Sequence, residues 1–332
     1  MPPFVSVVIP TYNRSQMLCE CVDSVLASTF RDFEIIIVDD ASTDDTGEVV
    51  RKRYLATHPN IRYHRTPANL MVCGSRNAGI RLARGQWILC LDNDNLVLPD
   101  MLAELVACAE RHPELGLIGA LSWNAWNQSI WTLGGDINWW TGRAADHHLD
   151  LYRGKRFALE DLDRTGFSDC YPTTASCPNA LFIKRSTIET IGDFNLFYEH
   201  SFEDPDFCLR TTRAGFKAAI CTRARTRHLC FAGIDPPLLR RLGIGNPRTA
   251  CHLARNRSWF MKYFAPWWGK TTYFFFFVHA LCLYYVFLTL LHGHPECAWA
   301  FAKGTWAGIF SSPPPYPLPG WHLDAVPSPT EP

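Results

Sequence analysis

Short apolar runs without polar alternation recur along the N-terminal part of the chain. A stretch with helical spacing follows most of them. Residues 4–9 are rich in β-branched side chains and predict a strand that Pro10 stops. Leu18, Val22, Val25 and Leu26 fall on one face of a helix. Residues 33–38 predict a buried strand ending in Asp39-Asp40. A run of N-cap formers, Ser42 to Thr46, then leads into a helix over 48–55. Ile61–Arg65 reads as a short strand. Arg76-Asn77-Ala78-Gly79 opens a helix that passes through Leu82 and Ala83 and that Gly85 ends. Trp87–Leu91 is apolar throughout, as a strand covered on both faces would be. After Pro99-Asp100, Met101, Leu105 and Cys108 mark a helix, and residues 115–121 a fourth buried strand. Strands alternating with helices predict a parallel sheet with right-handed crossovers.

Beyond this the pattern loosens. Five tryptophans, Trp123, Trp126, Trp131, Trp139 and Trp140, crowd residues 122–142, suited either to sugar or lipid surfaces or to ordinary packing. Residues 160–174 carry no clear signal. A short strand and helix fit 179–191, with Gly192-Asp193-Phe194 as a turn. Residues 218–221 read as a strand leading to Arg223, Arg225 and Arg227 at period two and then His228. Residues 271–295 carry no formal charge, long enough to span a bilayer, and FFFFVHALCLYYVFLTLL is apolar all round. The two readings of that run are an intramembrane or interfacial helix and a hidden core helix. The Pro-rich tail 311–332 reads as disordered.

Composition narrows the class. An apolar content of 47% with 19% charged residues indicates a folded protein. The formal net charge is zero, which argues against nucleic acid as a partner. Neutrality hides an asymmetry, since residues 236–295 hold seven Lys/Arg and no Asp or Glu. Thirteen scattered cysteines with no CxxC pair show neither a zinc site nor a disulfide framework. They read as reduced and buried in a cytoplasmic protein. The N-terminus reads as a first strand and not as a signal peptide.

Polar residues collect at three strand ends: after Ile9, after Val38 and after Leu91. In a parallel sheet these ends share one edge, where open α/β sheets bind ligands. Asp92-Asn93-Asp94-Asn95 places two carboxylates one residue apart at such an end. This suits a hard divalent cation held together with substrate phosphates, or else a solvated turn. Glu203-Asp204-Pro205-Asp206 runs into a helix. These acids either complement the helix dipole or supply a general base.

VSVVIPTYNR, VDDASTDDT, SRNAGIRLARG, LDNDN and FEDPDFCLRTTRAGF occur in the order seen in glycosyltransferase family 2, which the chain resembles over roughly residues 4–230. The resemblance implies a GT-A fold: a Rossmann-like, mostly parallel α/β sheet flanked by helices. It also implies transfer of a sugar from a nucleotide-diphosphate donor to a glycan or lipid-linked acceptor, with inversion. By position, Pro10, Thr11 and Tyr12 would lie against the nucleotide, and Asp40 would contact base or ribose with Asp39 beside it. Arg76 would lie near the diphosphate. Asp92 and Asp94 match the DXD motif that holds Mg²⁺ or Mn²⁺ and the donor. His228 matches a histidine that binds the metal in some members, although residues 222–227 lack the proline often found before it. Asp204 matches the catalytic base, with Glu203 as the fallback. One base and one metal site suffice for a single in-line displacement; the carboxylate pair of a retaining hydrolase is not required.

Three other classes fit the sequence less well. A processive polysaccharide synthase would need several spans and a QxxRW signature, where this chain has one candidate span and Arg255-Asn256-Arg257-Ser258-Trp259. A sugar nucleotidyltransferase would carry a Gly-rich loop where PTYNR stands. A non-catalytic membrane-binding module leaves both acidic clusters unexplained. The expected organisation is a GT-A domain over 1–235, a basic, aromatic and hydrophobic helical membrane-association segment over 236–310, and the tail. The expected place is the cytoplasmic face of a membrane. UDP, dTDP and GDP donors are all compatible with the sequence, and the rhamnosyltransferase-like branch of the family often has a C-terminal segment of this type.

Overall fold

The computed structural model describes residues 2–312 except 176, 178, 200 and 230–237. The expected boundary at 235/236 and residues 313–332 of the tail lie outside the described residues. The first half is built from β1 (Val5–Thr11), α1 (Ser15–Leu26), β2 (Phe33–Asp39), α2 (Thr46–Val50), β3 (Ile61–Arg65), α3 (Met71–Leu82), β4 (Trp87–Leu91), β5 (Asn95–Val97), α4 (Met101–Arg111) and β6 (Leu115–Asn124). Every residue of β2, β4 and β6 is buried, so the uninterrupted apolar runs do mark strands covered on both faces.

Three boundaries differ from expectation. Pro10 does not stop β1, which pairs with β2 as far as Thr11↔Asp39. On its other side β1 pairs with β4 only to Val8↔Cys90. Pro10 therefore lies past the stretch where it would face strands on both sides, a position proline tolerates. Helix α3 starts at Met71, five residues before Arg76. Its entry is held from a distance, because the Asp40 carboxylate accepts the Leu70 N–H at 2.7 Å. Sequence-local cap patterns do not show such a cap. At its other end α3 stops at Leu82, ahead of Gly85. Gly79 lets α3 lie directly on β1: a Cβ there would come within 2.2 Å of Val8 Cγ1.

The second half adds β7 (Ser129–Ile130), β8 (Gly135–Asn138), β9 (Arg143–Asp146), α5 (Leu149–Tyr152), β10 (Cys170–Pro172), β11 (Ala180–Lys184), α6 (Arg185–Ile191), α7 (Glu203–Arg213) and β12 (Lys217–His228). The main sheet runs β10-β12-β6-β11-β4-β1-β2-β3. It is mixed. β11 lies antiparallel to both β4 and β6, so the fourth buried strand joins the sheet through an inserted strand and not beside β4. Residues 160–174, silent in the sequence, hold a 3₁₀ turn and β10. β12 runs on past residue 221 to His228, with a register shift between Cys221 and Arg225. Its arginines are structural: Arg223 bonds Asp169, Arg225 bonds Asp163, and Arg227 lies over the Trp123 ring.

Helices α8 (Leu238–Arg241), α9 (Pro247–Phe264), α10 (Trp267–Thr272), α11 (Val278–Leu291) and α12 (Pro295–Phe310) complete the described chain. Phe260 and Phe264 of α9 pack into the same core cluster as Val8, Ile36 and Phe194. α12 lies tight against α9, with Gly304 over the Cys251 backbone and Gly308 over Ser258. Residues Trp267–Leu291 form one apolar helical stretch in which only 17% of the most apolar window is buried, so it is not a hidden core helix. Ser311, where the tail begins, accepts the Trp259 Nε1–H on its hydroxyl at 3.0 Å.

Candidate active site

The carboxyl ends of β1, β2 and β4 open into a cleft of about 680 Å³. Pro10, Thr11, Tyr12, Asp40, Arg76, Asp92, Asp94, Glu203 and Asp204 all line it. Segments far apart in the chain therefore meet where the topology of an open α/β sheet puts a ligand. Thr11 is buried, and its hydroxyl accepts from Asn93 Nδ2 at 2.8 Å, tying the first strand end to the acidic turn. Burial raises the Asp40 carboxyl despite the bonds from Leu70 and Thr66.

Asp39 points elsewhere. It accepts from the Ser42 N–H at 2.7 Å, from Arg65 Nη1 at 3.0 Å and from the Tyr63 hydroxyl. Neighbouring strand residues face opposite sides, so of this acidic pair Asp40 reaches the cleft and Asp39 holds the turn behind it.

Arg76 is the hub. It is 2% exposed, yet it sits one turn and more inside α3, where the helix crosses the strand ends. Its Nη1 donates to Asp204 Oδ1 at 2.9 Å and its Nη2 to Asp92 Oδ1 at 2.8 Å. One guanidinium thus joins the two acidic clusters that the sequence kept 112 positions apart, and its face lies 5.3 Å from the Phe194 ring centre. Burial pushes the Asp204 carboxyl up to about 7; Arg76 opposes this, while Glu203 and Asp92 add to it. Asp204 Oδ2 makes no hydrogen bond among the described residues, and the side chain stays 17% exposed to the cleft. Burial also raises Glu203, whose Oε2 is buried with no hydrogen-bond partner among the described residues. Asp206 belongs to the frame, accepting from Asn195 Nδ2 at 3.0 Å and Arg210 Nε at 2.9 Å.

Asp94 sits on the turn between β4 and β5. β5 pairs with the end of β12, and this brings His228 alongside. His228 Nε2 is 3.7 Å from Asp94 Oδ1, while its Nδ1 lies 3.2 Å from Asn124 Oδ1. With the Nδ1 proton donated to Asn124, Nε2 offers a lone pair toward a carboxylate. Two acceptors facing each other fit a shared cation. Burial, reinforced by Asp92 and opposed by His228 and Arg14, raises the Asp94 carboxyl. Asp92 is less well placed, because Arg76 occupies its Oδ1. Among the described residues the one trio of His, Cys or acidic groups with ligand atoms within 4.8 Å of one another is His294, Glu296 and Cys297, remote in sequence from the cleft. Asp92, Asp94 and His228 are not gathered that closely. Even so, a magnesium-type site needs only one or two carboxylates, since waters and phosphates complete it.

Three contributors were not among the expected site residues, although Trp131 stood out as one of the crowded tryptophans. Arg14, the last residue of PTYNR, reaches Asp94 Oδ2 and Asn93 Oδ1 at 3.4 Å each. Trp131, 45% exposed, lines the cleft and lies 5.2 Å from the His228 ring. Asn256 on α9 donates to the carbonyls of Tyr198 and Ser201 at 3.2 and 3.1 Å. It thereby anchors the loop before Glu203, where Ser201 and Phe202 adopt φ of 69° and 75°. Positive φ at non-glycine residues needs such support. Arg14 was within reach of a motif reading. Asn256 was not, because nothing local marks its distant target.

A family model described as glycosyl transferase family 2 matches residues 6–185. A PGL/p-HBAD biosynthesis glycosyltransferase of Mycobacterium bovis is 30% identical over 212 residues, 63% of this chain and 69% of that protein. A chondroitin synthase of Escherichia coli is 41% identical over 98 residues, 30% of this chain and 14% of that protein. In three of the curated relatives it matches, the chain spans 13%, 14% and 35% of the relative's length. In fold it is similar to a mannosyltransferase from Pyrobaculum calidifontis in complex with GDP-Man and Mn²⁺, with a TM-score of 0.53 at 16% identity, covering 93% of this chain and 88% of that one. It is also similar to GalNAc-T7 with UDP, GalNAc and Mn²⁺, with a TM-score of 0.54 at 19% identity, covering 68% and 44%.

Proposed function

Because the chain belongs to glycosyl transferase family 2, we propose that it is an inverting enzyme moving a sugar from a nucleotide-diphosphate donor to a hydroxyl of a glycan or lipid-linked acceptor. The observation that carries this reading is the Asp92–Arg76–Asp204 bridge, which sets a carboxylate raised toward neutrality and an acidic metal-type turn on one cleft. Pro10, Thr11, Tyr12 and Asp40 hold the nucleoside, and Asp39 keeps the Ser42 turn in place behind them. Asp94 and His228, with Asp92, are the residues that would hold Mg²⁺ or Mn²⁺, whose chemistry there is to stabilise charge on the departing diphosphate. Arg76 adds fixed positive charge beside it. Asp204 Oδ2 takes the proton from the acceptor hydroxyl as that oxygen bonds the anomeric carbon and the bond to phosphate breaks.

The reading includes place and organisation. Residues 1–235 carry the donor site, and residues 236–310, whose α9 packs Phe260 and Phe264 into that unit's core and holds the loop before Glu203 through Asn256, carry the membrane-association segment. The basic residues before the apolar run favour the cytoplasmic side, and the exposed helix Trp267–Leu291 supports a membrane site for it. A screen of nucleotide-sugars, reading nucleoside diphosphate release with Mg²⁺, with Mn²⁺ and with excess chelator, tests the chemistry. Release should require the ion and vanish in Asp94→Ala. Full activity in chelator removes the metal from the mechanism, and no release from any donor removes the transfer reaction.

A further inference from the structure

A second hollow of about 350 Å³ adjoins the cleft. The two share Trp131, Ser201, Phe202 and Pro205 in their walls, so they meet beside Asp204. The far wall of the second is different in kind. It is made by Leu242, by Leu253 and Arg257 of α9, and by Tyr285 of the apolar helix α11.

Arg257 is anomalous there. It is 3% exposed. Arg76, buried as deeply, bonds two carboxylates. Arg257 has neither a hydrogen-bond acceptor nor a carboxylate among the described residues, and its Nε is buried with no partner. Its guanidinium lies 5.5 Å from the Tyr285 ring centre. Its stem is fixed against Gly142, where a Cβ would stand 3.0 Å from Arg257 Cγ. Asp146 also lines this hollow, but Thr132 bonds it at 3.1 Å and it forms no ion pair with Arg257. A guanidinium stays charged, and burying that charge without a counter-ion is expensive. A cation–π contact offsets only part of the cost. The planar fork suits a carboxylate or a phosphate. The position against α11, which presents Leu283, Phe287 and Leu290 outward, favours the phosphate of a lipid over the acid of a free sugar.

We propose that this hollow is the acceptor subsite, and that Arg257 binds the phosphate group of a phosphate-linked acceptor whose hydroxyl then reaches Asp204. This rests on the glycosyl-transfer reading of the adjoining cleft.

The test uses the full chain in neutral detergent. Dodecyl phosphate, inorganic phosphate and dodecyl glucoside are titrated against it, and donor hydrolysis is followed separately. Wild type should bind dodecyl phosphate at least about tenfold tighter than the uncharged glucoside, and Arg257→Met should erase that difference. Arg257→Lys should keep part of it. Donor hydrolysis should be unchanged in both variants, which also shows that they fold. Inorganic phosphate binding as tightly as dodecyl phosphate keeps the anion subsite and assigns it to soluble phosphate esters. Unchanged dodecyl phosphate binding in Arg257→Met, with donor hydrolysis intact, overturns the proposal. Absence of donor hydrolysis in wild type fails the transfer reading and not the anion titration.

Discussion

Asp204→Asn is the sharpest probe of the chemistry. Asparagine keeps the size of the side chain and an Oδ1 acceptor for Arg76, whose Nη1 stands 2.9 Å away. The bridge to Asp92 should therefore survive while the proton acceptor is lost. A general base contributes about 10²–10⁴ in rate, about 3–5 kcal/mol of barrier. The pH profile gives a second handle. With the wild-type carboxyl raised to about 7 by burial, the active, deprotonated form is depleted on the acid side. Turnover should then fall about tenfold per pH unit below neutrality and level off above it. The variant should show a low, flat profile across the same range, with donor KM near that of wild type. The assay is nucleoside diphosphate release at saturating donor and acceptor, from well below to well above neutrality. A variant that loses donor binding but keeps turnover at saturation, or that retains the acid limb, refutes the assignment and moves the role to Glu203.

Three further outcomes are expected. Glu34 lies buried and accepts from Ser6 Oγ at 2.8 Å and the Arg84 N–H at 2.9 Å; Glu34→Ala should cost about 1–3 kcal/mol, because the Ser6 hydroxyl loses its acceptor while the Arg84 N–H keeps Ser6 Oγ at 3.1 Å, read as a lower urea midpoint at unchanged slope. Burial alone would raise that carboxyl, but bonds from Arg84 and Ser6 hold it below its usual value, so its contribution is present above the unfolded pKa and drains away as pH falls through the folded one; Glu34→Gln should flatten that acid limb of stability. The full chain should fractionate with membranes and resist carbonate extraction; recovery as a soluble protein without detergent would return Trp267–Leu291 to an oligomer or partner contact.

How much of this was legible depends on how far each signal reaches along the chain. β2 and β4 announced themselves because a strand covered on both faces has no polar alternation, and all their residues are buried. The direction of β11 was not legible, since antiparallel and parallel strands share one side-chain period. The α3 entry was misplaced because its cap is Asp40, thirty residues back. Within the site, each acidic cluster was visible locally. Arg76 as the group that bonds both was not, because contact across the fold leaves no mark in spacing. Nor did the adjacent pair Asp39-Asp40 say which member faces the cleft. That was settled by Tyr63 and Arg65 on β3, which claim Asp39.

Helix α9 serves three partners at once. It holds the loop before Glu203 through Asn256, sets Arg257 in the second hollow, and bears the close approach of α12 at Cys251 and Ser258. Each added residue turns a helix by about 100°. A single insertion or deletion between Cys251 and Arg257 would therefore swing one set of contacts off its target while leaving the other in phase. The exposed turns at Gly154 and Gly166, where a Cβ would meet nothing within 4 Å, have room that α9 lacks. Along α9 only substitutions are open, and the reading frame of the rod is locked.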